Sequence, residues 1–132
     1  ADAKINQNKL IDVWGDGKQT RSFMYIDDCI EGTKMVFNSN NRDVYNLGSD
    51  EQVSINQMVD IIEEIADYKV KRNYLLEKPK GVRGRSSDNT KINSDLNWAP
   101  SISLKDGLKK TFEWIDEQIK SGDNLSKFTK TY

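Results

Sequence analysis

The chain has no histidine, one cysteine (Cys29), two prolines and no long apolar run. Each shortage excludes something. Without histidine the commonest general base near neutral pH is missing, and so is the usual nitrogen ligand of zinc. A lone cysteine closes no internal disulfide and builds no thiolate cluster, so a reducing cytoplasmic setting and no metal site are expected. A membrane helix needs about 20 consecutive apolar residues; none is present, and the polar start from Ala1 to Asn8 predicts no signal peptide. Charge of one sign is lacking as well. Twenty basic residues face twenty-one acidic ones, for a net charge of −1, which argues against a nucleic-acid-binding surface.

What is present suits one globular domain: 132 residues, 36% of them hydrophobic, enough for a single core. Lys9 to Trp14 has the apolar density of a short strand, ended by the turn residues Gly15-Asp-Gly17. Ser22 to Ile26 is a second apolar run leading into Asp27, expected as a helix N-cap with Asp28 in the first turn. Ile30, Thr33 and Phe37 then recur at helical spacing, and Asn38 to Arg42 reads as a loop. Val44 to Leu47 predicts a short strand closed by Gly48. Ser54 and Gln57 form a capping-box pair ahead of a helix with Ile55, Met58, Val59, Ile62 and Ile65 on one face. Val70 to Leu76 predicts a strand, Lys78 to Asn89 an aperiodic loop, and Lys91 to Leu96 one helical turn. Ser103 and Asp106 cap a last helix whose inner face is Leu104, Leu108, Phe112, Ile115 and Ile119. This alternation predicts a small α/β domain, helices packed on short strands.

Three segments carry chemistry. They are Trp14 to Asp28, reading WGDGKQTRSFMYIDD; Val44 to Asp50 with Val53-Ser-Ile55; and Gly81 to Lys91, reading GVRGRSSDNTK, followed by Leu96-Asn-Trp-Ala-Pro100. Arginine's planar fork donates two parallel hydrogen bonds to phosphate oxygens. Arg21 sits just after a glycine-bearing turn, and Arg83 and Arg85 lie in a glycine-bearing loop, where rigid elements can hold a long cation over a cleft. An isolated loop arginine is ordinarily solvated; three ordered motifs at matching spacing are another matter.

Together these strings resemble the C-terminal substrate domain of the extended short-chain dehydrogenase/reductase family, the NAD-dependent nucleotide-sugar epimerases and dehydratases. The wording is nearest the GDP-mannose 3,5-epimerase branch, and it covers roughly Leu10 to Lys120. The resemblance implies a short-stranded α/β substrate domain with the Rossmann half absent. It divides the chain into a residual linker (1–9), a nucleotide-sugar-binding domain (10–120) and a polar tail (121–132). It implies that Arg21 and Arg85 face the diphosphate of a GDP-hexose, that Gln19 and Thr20 help shape the pocket, and that Arg83 either binds substrate or pairs with Asp88 to hold the loop. In the complete enzyme it implies NAD, transient oxidation of the hexose, epimerisation through the ketone and re-reduction.

The rest of that machinery is not in the sequence. The family's Gly-x-x-Gly-x-x-Gly loop does not occur. The Tyr-x-x-x-Lys pair occurs only as Tyr74 and Lys78, beside Pro79 and outside any expected helix, which reads as chance. Hence no catalytic, cofactor or metal residue is assigned, and the expectation is a fragment that binds without catalysing. Asp27 is read as a cap, Cys29 as a small buried hydrophobe, and Trp14 and Trp98 as structural, with Trp98 against the last helix and Pro100 fixing the chain's exit. Two alternatives stay open: a 4-epimerase or 4,6-dehydratase within the family, and a freestanding module that binds a nucleotide sugar or a protein and self-associates through an exposed inter-domain face.

Overall fold

The computed structural model describes residues 1–122. Gly122 apart, the expected polar tail after Ser121 lies outside the described residues. The described chain is mixed α/β, with two small sheets. β1 (Leu10–Trp14) and β4 (Lys71–Leu75) pair in parallel, Leu10 opposite Lys71 and Trp14 opposite Leu75. β2 (Thr20–Ser22) is the centre of the other sheet, antiparallel to β3 (Gln52–Ser54) and parallel to β5 (Gly84–Arg85). Parallel pairing needs a long crossover; α2 (Ile26–Asn38) and α3 (Ile55–Ala66) lie in it. The core is small: Val13, Ala66, Ile92, Trp98 and Leu104 are its buried apolar residues.

Where local chemistry is strong, the elements fall where the sequence puts them. Ser54 Oγ accepts from Gln57 N at 3.1 Å, and the Gln57 side chain accepts from Ser54 N at 2.8 Å, completing the capping box of α3. Ser103 Oγ likewise accepts from Asp106 N at 3.2 Å at the head of α5 (Leu104–Lys120), which packs on α3. The turn expected near Lys91 is α4 (Thr90–Leu96), anchored by Ile92 at 1% exposure.

Elsewhere the structure corrects the sequence. The polar start folds into one turn, α1 (Asp2–Ile5), whose Lys4 Nζ donates to Ala66 O at 2.6 Å and satisfies a carbonyl at the end of α3. Val44 to Leu47 forms no ladder with any described strand. Helix α2 starts two residues early: Tyr25 is its N-cap, without a side-chain bond, and Asp27 lies inside the first turn. Its inward face is not the apolar stripe. Asp28 and Gly32 are buried, whereas Ile26, Ile30 and Phe37 are exposed, Phe37 at 85%. Gly32 is required there because a Cβ would stand 2.8 Å from Trp98 Cε2, so Trp98 seats its ring on α2. Trp14 is exposed rather than core, with Lys78 Nζ 5.8 Å from its ring centre. Cys29 is half-buried.

Candidate functional site

The loop expected between Lys78 and Asn89 contains a strand two residues long, and that strand makes the site. β5 joins β2 with Thr20 opposite Gly84 and Arg21 opposite Arg85. A Cβ at position 84 would lie 2.8 Å from Thr20 Oγ1, so only glycine lets the strands approach this closely. Opposed residues on neighbouring strands share a face. Two arginines sixty-four positions apart in sequence are thereby set side by side.

They line a cleft of about 450 Å³ together with Ser22, Met24, Tyr45 to Ser49, Ser86 and Ser87. Arg21 Nη1 donates to Thr20 O at 2.6 Å, and Nη2 to Lys80 O at 3.4 Å, a long bond. Neither arginine forms a salt bridge among the described residues. Like charges directly opposed on a sheet repel by up to about 1 kcal/mol. An anion held between them removes that repulsion and gains charge-assisted hydrogen bonds.

The other expected site residues fall around this pair. Gln19 and Thr20 are not among the residues that line the cleft. Gln19 Nε2 donates to Trp14 O at 2.9 Å and braces the glycine turn, and Thr20 N donates to Arg83 O at 2.9 Å. Arg83 is exposed, is outside the lining and forms no ion pair with Asp88. The Asp88 carboxylate instead accepts from Thr90 N at 3.0 Å, and hydrogen bonds from Thr90 hold its pKa below the usual value.

Residues that sequence reasoning left unassigned form the opposite wall. Tyr45 to Ser49 is stitched to the residues before α4: Asn89 Nδ2 donates to Gly48 O at 2.8 Å, Ser87 N to Ser49 O at 3.3 Å, and Asn46 Nδ2 to Asp88 O at 3.3 Å. The only sequence signal was that both segments stood out as motifs; nothing local says that they touch.

The Gly15–Gly17 turn does not fit a dinucleotide-binding loop. It leads into β2 rather than a helix N-terminus, and the space beside Gly17 (φ +69°) is filled by Asn56, whose Cγ lies 2.6 Å from where a Cβ would be. Among the described residues no group of three or more His, Cys, Asp or Glu could hold a metal, and no helix is long and apolar enough to cross a membrane.

The family model described as GDP-mannose 4,6 dehydratase matches residues 1–111. The chain belongs to this family. GDP-mannose 3,5-epimerase 1 of Oryza sativa subsp. indica is 50% identical over 108 residues, 82% of this chain and 28% of that protein. UDP-glucuronate 4-epimerase of Thermodesulfobacterium geofontis is 39% identical over 116 residues, 87% of this chain and 36% of that protein. The solved UDP-glucuronic acid 4-epimerase from Bacillus cereus, in complex with UDP-glucuronic acid and NAD, has a TM-score of 0.78 at 32% identity, over 86% of this chain and 37% of that one. The family's relatives are thus nucleotide-sugar enzymes of the extended short-chain dehydrogenase/reductase class, and the chain spans only 28% to 37% of the lengths of these three.

Proposed function

We propose that this chain is the nucleotide-sugar-binding part of an NAD-dependent epimerase of the GDP-mannose 3,5-epimerase kind, working in the cytoplasm and holding a GDP-hexose by its diphosphate. The observation that carries the reading is the pairing of Arg21 with Arg85 across β2 and β5, two unneutralised cations in one cleft. The 50% identity to a GDP-mannose enzyme supports a GDP ligand over a UDP one. The residues here bind and orient. Oxidation and proton transfer at the sugar belong to a nicotinamide-binding domain, and the chain alone neither binds NAD nor turns over a nucleotide sugar.

A partner domain is supported by a second observation. Ile26, Ile30 and Phe37 of α2 are exposed, and Phe37 lines a pocket with Tyr45 and Leu47 of the unladdered segment. An exposed apolar helix face is what a neighbouring domain covers. A lone module would have to bury this face by self-association, which makes oligomeric state the discriminating measurement between the two readings.

The test is a phosphorus NMR titration of GDP at low salt, where phosphate contacts are least screened. Millimolar to high micromolar affinity is expected, because ordering costs are large. Arg85→Ala and Arg21→Ala should each weaken binding about 10- to 100-fold, the loss of roughly 1.5–3 kcal/mol, and Arg83→Ala should weaken it less. Absence of GDP binding, a neutral Arg85→Ala or micromolar one-to-one NAD binding contradicts the proposal.

A further inference from the structure

One wall of the cleft comes from Tyr45 to Ser49, in a stretch, residues 39–49, that contains no helix or strand. Fixing such backbone costs conformational entropy at every residue, so a wall of defined shape needs pins. Those pins converge on α4. Its Ile92 is in the core, while Lys91 and Asp95, four residues apart on the helix, reach outward to the wall. Lys91 Nζ donates to Asp43 Oδ2 at 2.9 Å and to Asp95 Oδ2 at 3.1 Å, and stands 5.4 Å from the Tyr45 ring centre. Tyr45 OH donates to the same Asp95 Oδ2 at 3.0 Å and accepts from Asn41 Nδ2. The phenol donates in its protonated form, and burial and the Asp95 hydrogen bond raise its pKa further above the ordinary 10.0.

We infer that Lys91, acting through Asp43, Asp95 and Tyr45, is a positioning residue that presets the Tyr45–Ser49 wall of the cleft for a nucleoside diphosphate. The inference rests on the reading of that cleft given above. Two carboxylates, Asp43 and Asp95, face one ammonium. Removing the ammonium does more than delete two hydrogen bonds, because it leaves like charges opposed and pushes the 43–45 end of the wall off α4. Tyr45 and Leu47 line both the cleft and a second, apolar pocket with Thr33, Val36 and Phe37. A shift of this segment is therefore felt on both sides, at the ligand and at the open face of α2. Exposed ion pairs are individually weak; the predicted effect is a modest loss of order and affinity, not of folding.

The test compares the 132-residue chain with Lys91→Met, Lys91→Arg and Tyr45→Phe, first without ligand by amide hydrogen exchange and then with GDP. Lys91→Met should speed exchange at Asn46 to Ser49 about tenfold while leaving α3 unchanged, and weaken GDP binding about three- to tenfold. Lys91→Arg should restore both, since it keeps the cation between the carboxylates. Tyr45→Phe, which removes one oxygen only, should speed exchange at the same amides about threefold. Unchanged exchange at Asn46 to Ser49 in Lys91→Met overturns the inference. If Lys91→Met loosens the whole molecule, Tyr45→Phe decides alone, and an unchanged wall there overturns it too. Faster exchange with unaltered GDP affinity, in a chain where Arg85→Ala does weaken GDP, overturns the positioning role and leaves the cleft intact. A wild-type chain that binds no GDP removes the cleft reading and the inference with it.

Discussion

Helices α2 and α3 are nearly equal in length, 13 and 12 residues, and each carries an apolar stripe, yet they treat it oppositely. In α3 the stripe of Ile55, Met58, Val59, Ile62 and Ile65 is half-buried, the helix packs on α5, and a complete capping box starts it. In α2 the stripe points outward, no side chain caps the start, and the buried positions are a carboxylate and a glycine. Periodicity shows that a face will be covered, but not by what. The α3 face is satisfied inside this chain; on α2, Ile26, Ile30 and Phe37 stay exposed.

What holds α2 in place is Asp28, at 2% exposure. Its Oδ1 accepts from Ser101 N at 3.1 Å and Ser101 Oγ at 2.8 Å, and its Oδ2 from Ile102 N at 3.0 Å, tying α2 to the approach of α5. Asp28→Ala leaves buried donors unpaired and should cost about 3 kcal/mol in urea unfolding, against less than about 0.5 kcal/mol for its exposed neighbour in Asp27→Ala. Equal costs would break the contrast. Burial pushes the Asp28 pKa up, but the three hydrogen bonds outweigh it and the net shift is downward from the ordinary 3.8. A depressed folded pKa gives stability that is full above the unfolded value and is lost as pH falls through the folded one. The stability gap between the wild type and Asp28→Asn should therefore close on acidification below about pH 4.

Smaller effects sharpen the comparison. Ile62→Ala on α3 should cost about 1–2 kcal/mol, less than a fully buried site would because Ile62 is half-exposed. Ser54→Ala should cost about 1 kcal/mol by removing the cap of α3, with no counterpart at Tyr25. Smallest of all, Ile30→Ser and Phe37→Ser should change the stability of the isolated chain by less than about 0.5 kcal/mol, yet reduce any self-association seen in sedimentation. A large stability loss there would mean that α2 buries its stripe within the chain after all.

The same contrast explains what was legible in the sequence. Capping pairs act within one turn, so Ser54–Gln57 and Ser103–Asp106 could be read directly, as could β1 from its apolar density. Asp28, rightly placed in the first turn, owes its further role to Ser101 and Ile102, more than seventy residues away. Val44 to Leu47 has strand composition, but a strand is a property of a pair, and no described strand lies beside it. β5 is two residues long in a stretch without periodicity, and only its pairing with β2 makes it visible. For the cleft, the sequence motifs named Arg21 and Arg85 but could not show them as neighbours, nor reveal the Tyr45–Ser49 wall.

The central claim is that the cleft, and not the open face of α2, receives the diphosphate. Its most direct test is NMR mapping of backbone amides and arginine side chains during a GDP titration at low salt. The account predicts the largest shifts at Arg21, Ser22, Tyr45 to Ser49 and Arg85 to Ser87, with the arginine side-chain signals of Arg21 and Arg85 moving together and only smaller, secondary shifts at Ile30 to Phe37. Shifts centred on α2, with Arg21 and Arg85 unmoved, would contradict it.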